Sequence, residues 1–298
     1  MGTNVLVNNV NDNNYAQNTP EIAIDRVSNP NKIAVGATDY SLSPGIPKAA
    51  YYFSTDGGAS WPSGGAIPGL TNYGVNGNAS LAFDGNGRVF YAGSALNGSN
   101  PNNAVFVARA LNGNTHYEPM LGIVASSTSI STLHDQPWVA VNRSNGYVFV
   151  CWTQRSGGGT TNQIMLARST NNGQSFSATV TVSDDTNSAG CSIEVESNGA
   201  VDVAWIKNNN QIMFDRCTSD GTTCGTDTAL SSTFTACNTI PLAGYENDVP
   251  GYVVRDVTIN SNPTIAVDNR PGGNNYRVVV WCVKTTSPTV DYDVYFTS

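Results

Sequence analysis

The sequence predicts an all-β chain folded as a β-propeller of about five four-stranded blades. Three observations carry that reading: a turn-rich β composition, a strand pattern that recurs five times, and Asn-Gly turns at the same place in successive copies. Only 12% of the 298 residues are charged while 40% are hydrophobic, with 29 Gly and 14 Pro. So little charge leaves no polar face for long amphipathic helices, but it suits short alternating strands joined by turns. One domain of this length is ordinary for barrels and propellers.

Each copy opens on a short apolar-alternating strand, at residues 22–25, 81–84, 139–142, 193–196 and 265–268. The spacing somewhat exceeds the ~40 to 50 residues of a bare four-stranded blade, which leaves room for long loops. A turn and a second β run follow, at 32–36, 88–92, 147–152, 201–205 and 277–281. Asn86-Gly87, Asn145-Gly146 and Asn198-Gly199 fall between the two. Asn-Gly between alternating hydrophobics supplies the two φ > 0 positions of a tight hairpin. The third runs are 50–53, 104–109, 164–168, 212–216 and 294–296, and a fourth such as 178–182 closes the better-preserved copies. The blades are accordingly placed at 17–75, 76–130, 134–184, 187–232 and 260–298, with an insertion at 232–260.

The ends of the chain bear on closure. The last copy stops at a point equivalent to Phe53-Ser54-Thr55, short of a fourth strand, while Asn4-Val5-Leu6-Val7-Asn8 matches the fourth-strand pattern of 179–183. The simplest arrangement completes the fifth blade with residues 4–10, removing an exposed sheet edge. Two others stay open: exchange of that strand between subunits, with self-assembly as the result, and descent from a six-bladed parent.

Between strands three and four of the first blade lies Ser54-Thr55-Asp56-Gly57-Gly58-Ala59-Ser60-Trp61, and the third blade repeats it as Ser169-Thr170-Asn171-Asn172-Gly173-Gln174-Ser175-Phe176. A short Asp or Asn side chain bonds nearby backbone N–H groups, Gly accepts φ > 0 and the aromatic tucks beneath the turn. Both segments resemble the Asp-box turn of the sialidase-like propellers, and through the strand pattern the resemblance covers nearly the whole chain. On that alignment Cys217 and Cys224 of the fourth blade take the Ser and aromatic positions, and a disulfide between them replaces the packing of the box. The family includes exo-sialidases, other glycosidases, lectins and non-catalytic scaffolds. Its sialidases carry an Arg-Ile-Pro motif that this chain lacks; Arg26 follows the first inner strand, and no catalytic residue can be carried over.

The formal net charge is −8 with 14 Lys and Arg, and nothing in the sequence would neutralise a phosphate backbone, so nucleic acid is not an expected partner. No apolar run approaches the ~18 to 20 residues that cross a bilayer, so membrane insertion is not expected. Six cysteines without a CxxC pair favour an oxidising compartment, secreted or at the cell surface, though six allow fifteen pairings.

Ligand residues are sought in the loops before the inner strands, which gather at one mouth of the channel. There Gln17, Asn18, Gln136 and Trp138, with Tyr245 and Arg255 from the insertion, are candidate binding residues. Glu21, Asp135 and Asp256 are candidate carboxylates for glycoside hydrolysis, and His134 beside Asp135 a candidate proton-transfer pair. The structural alternative for His134 is a loop residue buttressing Trp138 and the Pro137 turn. No metal centre or cofactor is expected; the Asp84 and Asp268 turns offer oxygen ligands of the calcium kind but lack an EF-hand's Glu at position twelve. The function expected is a secreted or surface-displayed, non-catalytic propeller that binds a glycan or partner protein or forms an extracellular assembly. The alternative is a glycoside hydrolase with a diverged carboxylate site.

Overall fold

The computed structural model describes residues 5–7, 17–97, 103–129, 131–237, 240–241, 256–257, 261–269, 276–285 and 291–297. They form an all-β, five-bladed propeller without a helix among the described residues. Blade one is β1 (Gln17–Ile24), β2 (Ile33–Asp39), β3 (Lys48–Ser54) and β4 (Ser63–Ala66); blade two is β5 (Val75–Phe83), β6 (Val89–Leu96), β7 (Asn103–Ala110) and β8 (Gly122–Ser127). Blade three is β9 (Leu133–Val141), β10 (Val148–Ser156), β11 (Thr161–Ser169) and β12 (Val180–Thr181); blade four is β13 (Ser188–Val195), β14 (Val201–Lys207), β15 (Gln211–Cys217) and β16 (Thr228–Ala229). In each, the strands pair antiparallel in sequence order. The insertion contributes a two-residue ladder of β17 (Ile240–Pro241) with β18 (Asp256–Val257).

Blade five is β19 (Thr264–Val267), β20 (Arg277–Thr285) and β21 (Asp291–Thr297), a three-stranded sheet among the described residues. Of the 4–10 segment expected to complete it, residues 5–7 are described and lie in no strand. Leu6 and Val7 instead border a cleft on the first blade with Tyr52, Trp61, Gly64 and Gly65.

The core consists of the interfaces between neighbouring blades. Leu81 and Phe83 of β5 pack among Ala34, Ala49 and Phe53 of blade one. In equivalent places Val139 of β9 packs on blade two, Ile193 and Val195 of β13 on blade three, and Ile265 of β19 on blade four. The counterparts in β1, Ile22 and Ile24, are 58% and 39% exposed, and Val294 and Phe296 of β21 are each 73% exposed. The seam between the first and last blades is therefore not packed as the other four interfaces are.

Trp152 and Trp205 are fully buried and Trp281 nearly so, which makes them interblade packing residues rather than a sugar platform. All six cysteines pair. Cys151–Cys191 ties β10 to the inner strand of the next blade, Cys237–Cys282 ties the segment after blade four to β20, and Cys217–Cys224 closes the fourth-blade turn. Three disulfides point to an oxidising, extracellular setting.

The two box turns share one hydrogen-bond plan. The Ser54 hydroxyl accepts the Gly58 N–H at 2.8 Å, and the Asp56 carboxylate accepts the Ser60 N–H at 2.9 Å and its hydroxyl at 2.6 Å. In blade three, Ser169 accepts from Gly173 at 2.9 Å and Asn171 from the Ser175 N–H at 3.0 Å. The amide of Asn171 donates to the Ser175 hydroxyl at 2.8 Å, reversing the polarity of the Ser60–Asp56 bond, so Asn replaces Asp without losing a contact. Gly58 and Gly173 both hold positive φ, 91° and 74°.

Candidate ligand site at the channel mouth

Each of the first four inner strands carries a bulge near its start. The ladder shifts register between Asn18 and Glu21, between Gly77 and Ser80, opposite Cys151 and Thr153, and between Ala189 and Ser192. The first bulged residue is left-handed every time: Thr19 (φ 48°), Asn78 (58°), Gln136 (52°) and Gly190 (63°). A β-branched Thr in that region is strained, and such strain persists only where its surroundings fix it. Here the fixing groups are hydroxyls on second strands. The Thr38 hydroxyl meets that of Thr19 at 2.9 Å and accepts the Asn78 N–H at 3.2 Å, and Thr153 accepts the Gly190 N–H at 3.0 Å.

Bulges bend a strand and re-aim its side chains. Beside those of blades one to three lies a cavity of about 400 Å³, within the size range of small-ligand sites. It is bordered by Asn18, Thr19, Tyr40, Asn78, Asp135 and Arg155, with Pro47, Val75, Leu96 and Leu133 as apolar wall. Asp135, at its centre, accepts from the Asn78 amide at 2.9 Å and the Gln136 N–H at 2.8 Å, and its other oxygen faces the Arg155 guanidinium at 3.4 Å. Both members of that ion pair are about one-third exposed.

His134 also borders the cavity but does not pair with Asp135. Consecutive residues of a strand face opposite sides of the sheet, so neighbours in sequence are not neighbours in space. The His134 Nδ1 accepts the Trp152 indole N–H at 3.0 Å, and the ring also hydrogen-bonds the Ser126 backbone. Burial holds its pKa below the ordinary value against the pull of that second bond. His134 thus buttresses Trp152 rather than Trp138, which packs partly buried between blades three and four.

The remaining candidates are scattered. Gln17 donates to Asp39 at 3.3 Å on blade one, outside the cavity lining. Gln136 supplies the bulge itself. Glu21 lies half-buried further along β1, and burial pushes its carboxyl up to about 7. Asp256 is placed only by the backbone of β18, and Tyr245 and Arg255 lie outside the described residues. The Asp84 turn is self-sufficient: one oxygen accepts the N–H groups of Asn86 (2.8 Å) and Arg88 (2.9 Å), and the other pairs with the Arg88 side chain at 2.6 Å. Deeper in the ring, burial raises Glu194, opposed by the charges of Arg143 and Arg26.

Tyr40 and Arg155 belong to the site yet were not among the sequence candidates. Both lie just beyond or at the ends of second strands. In an up-and-down sheet those ends lie level with the starts of the inner strands, so the loop between strands two and three opens onto the same mouth.

No protein-family model matches the chain, and no curated protein does. Solved structures do. Over 94% of its length the chain is similar to a protein of unknown function from Dyadobacter fermentans, at 12% identity and a TM-score of 0.63 over 76% of that chain. It is similar to the Hadza microbial sialidase Hz136 at 10% identity and a TM-score of 0.57, spanning 65% of that chain. A Penicillium chrysogenum alpha-L-arabinanase complexed with arabinobiose gives 12% identity and a TM-score of 0.56 over 92% of its length. At such identities the likeness is one of fold: the chain adopts the propeller architecture that sialidases and arabinanases share.

Proposed function

We propose that the protein is a secreted or surface-displayed propeller that binds a glycan in the cavity of blades one to three without turning it over. The observation that carries the reading is the state of Asp135. Its carboxylate is held by Asn78, Gln136 and Arg155, so it is an acceptor fixed in place rather than an acid or base awaiting a substrate. Neighbouring His134 has its ring committed to Trp152 and Ser126. Asn18, Tyr40 and the remaining N–H groups of Arg155 offer the hydrogen bonds that sugar hydroxyls take, against a wall of Pro47, Val75 and Leu96. On a glycan array followed by calorimetry, we expect binding with no hydrolysis, and at least tenfold weaker binding in Arg155→Ala and Asn18→Ala. Release of sugar from sialosides or arabinosides, lost in Asp135→Asn, would overturn it.

A second reading, a glycoside hydrolase with a diverged site, has one observation in its favour. Burial keeps Glu21 protonated up to about pH 7, the state a general acid needs. Hydrolysis abolished by Glu21→Gln while glycan binding persists would establish it.

A further inference from the structure

Two carboxylates at the outer junction of blades three and four each hide an oxygen that nothing in the protein satisfies. Asp215, in β15, is 2% exposed. Its Oδ1 accepts the N–H groups of Arg216 (2.6 Å) and Gly225 (2.9 Å), while its Oδ2 is sealed from solvent without a partner. Asp227, just before β16, accepts the Asp184 N–H at 2.9 Å and returns its own N–H to the Asp184 carboxylate at 3.2 Å. Its Oδ1 is likewise sealed and unpartnered. Buried anionic oxygens in this condition are costly, and they are uncommon enough to require an explanation.

The surroundings deepen the cost. Burial and the charges of Asp184, Asp215 and Asp185 together push Asp227 up to about 6, and burial with the Asp184 charge raises Asp215. The nearby cations are engaged elsewhere: Lys207 pairs with Asp185, and Arg216 turns to Glu196. Beside Asp215 stand the sulfurs of Cys217 and Cys224, oxidised to a disulfide and so no longer thiolate ligands. The donors on offer are all carboxylate oxygens, which select a hard cation. Asp184 is exposed, leaving the cluster open on one side.

We propose that Asp215, Asp227 and Asp184 form a divalent-cation site of the calcium type, joining the end of blade three to the outer strand of blade four. The cation would satisfy both orphan oxygens and cancel the mutual repulsion of the three carboxylates. It would act as a clasp between blades, separate from the cavity at the mouth.

The test uses the whole chain, dialysed against EDTA and titrated with CaCl2 at pH 7.5, followed by calorimetry and thermal unfolding. We expect saturable binding with a rise in Tm. Asp227→Asn and Asp184→Asn should weaken binding at least tenfold and abolish the rise, while Asp84→Asn, whose carboxylate serves its own turn, leaves both intact. Asp227→Asn and Asp184→Asn carry the test if Asp215→Asn fails to fold. A Tm unmoved by CaCl2, with Asp227→Asn stabilising the metal-free protein, would overturn the proposal, because a proton then serves where the cation was placed. Calcium binding retained in all three variants would overturn it equally.

Discussion

Single residues show how environment, rather than residue type, sets chemistry in this fold. Glu21 and Asp135 lie on equivalent inner strands, yet burial raises the first to about 7 while the second is engaged by Asn78, Gln136 and Arg155. A carboxyl whose folded pKa lies above its unfolded value keeps its proton to higher pH when folded. The stability it confers is complete below about pH 4.5 and is lost as pH rises through about 7. Asp227, raised to about 6, acts in the same direction. In metal-free buffer the Tm should therefore be higher at pH 5 than at pH 8, and Glu21→Gln should flatten the difference. A Tm that climbs steadily from pH 5 to pH 8 in both proteins would contradict this. Sequence could nominate Asp135 and His134, but not their separation, because adjacency along a strand places the two side chains on opposite faces.

Elements were far more legible. Alternation and Asn-Gly turns located the hairpins, since both signals act over a few residues and need no tertiary partner. The substituted fourth-blade turn was legible too, by alignment with its intact counterparts. Its Cys217–Cys224 bridge closes a loop of 7 residues, worth about 2 kcal/mol by chain-entropy reckoning. We expect Cys217→Ser with Cys224→Ser to lower urea-unfolding stability by about that amount. Asn171→Asp, which recreates the first-blade turn in the third, should cost less than about 0.5 kcal/mol. What stayed hidden were the bulges and the rim they shape. A left-handed Thr19 or Gln136 has no sequence signature of the kind Gly gives, and Arg155 belongs to the mouth only once the strand lengths are known. The pairing of Cys151 with Cys191 likewise depends on which blades adjoin.

The whole molecule is not the even ring its repeat implies. Four interfaces bury their apolar faces, while the fifth leaves Ile22, Val294 and Phe296 in solvent. The covalent ties are uneven too: Cys151–Cys191, Cys217–Cys224 and Cys237–Cys282 all fall in the last three blades, and none of the three lies within the first two. This distribution makes the protein mechanically two-natured. Pulled between residues 17 and 297, blades one and two can pay out their full length, whereas the loops of 40 and 45 residues behind Cys151–Cys191 and Cys237–Cys282 cannot. At up to ~3.6 Å per residue, those bridges withhold roughly 140 and 160 Å of contour. Single-molecule stretching should recover those increments only after reductant is added, so that the redox state of its surroundings sets how far the molecule can extend under load.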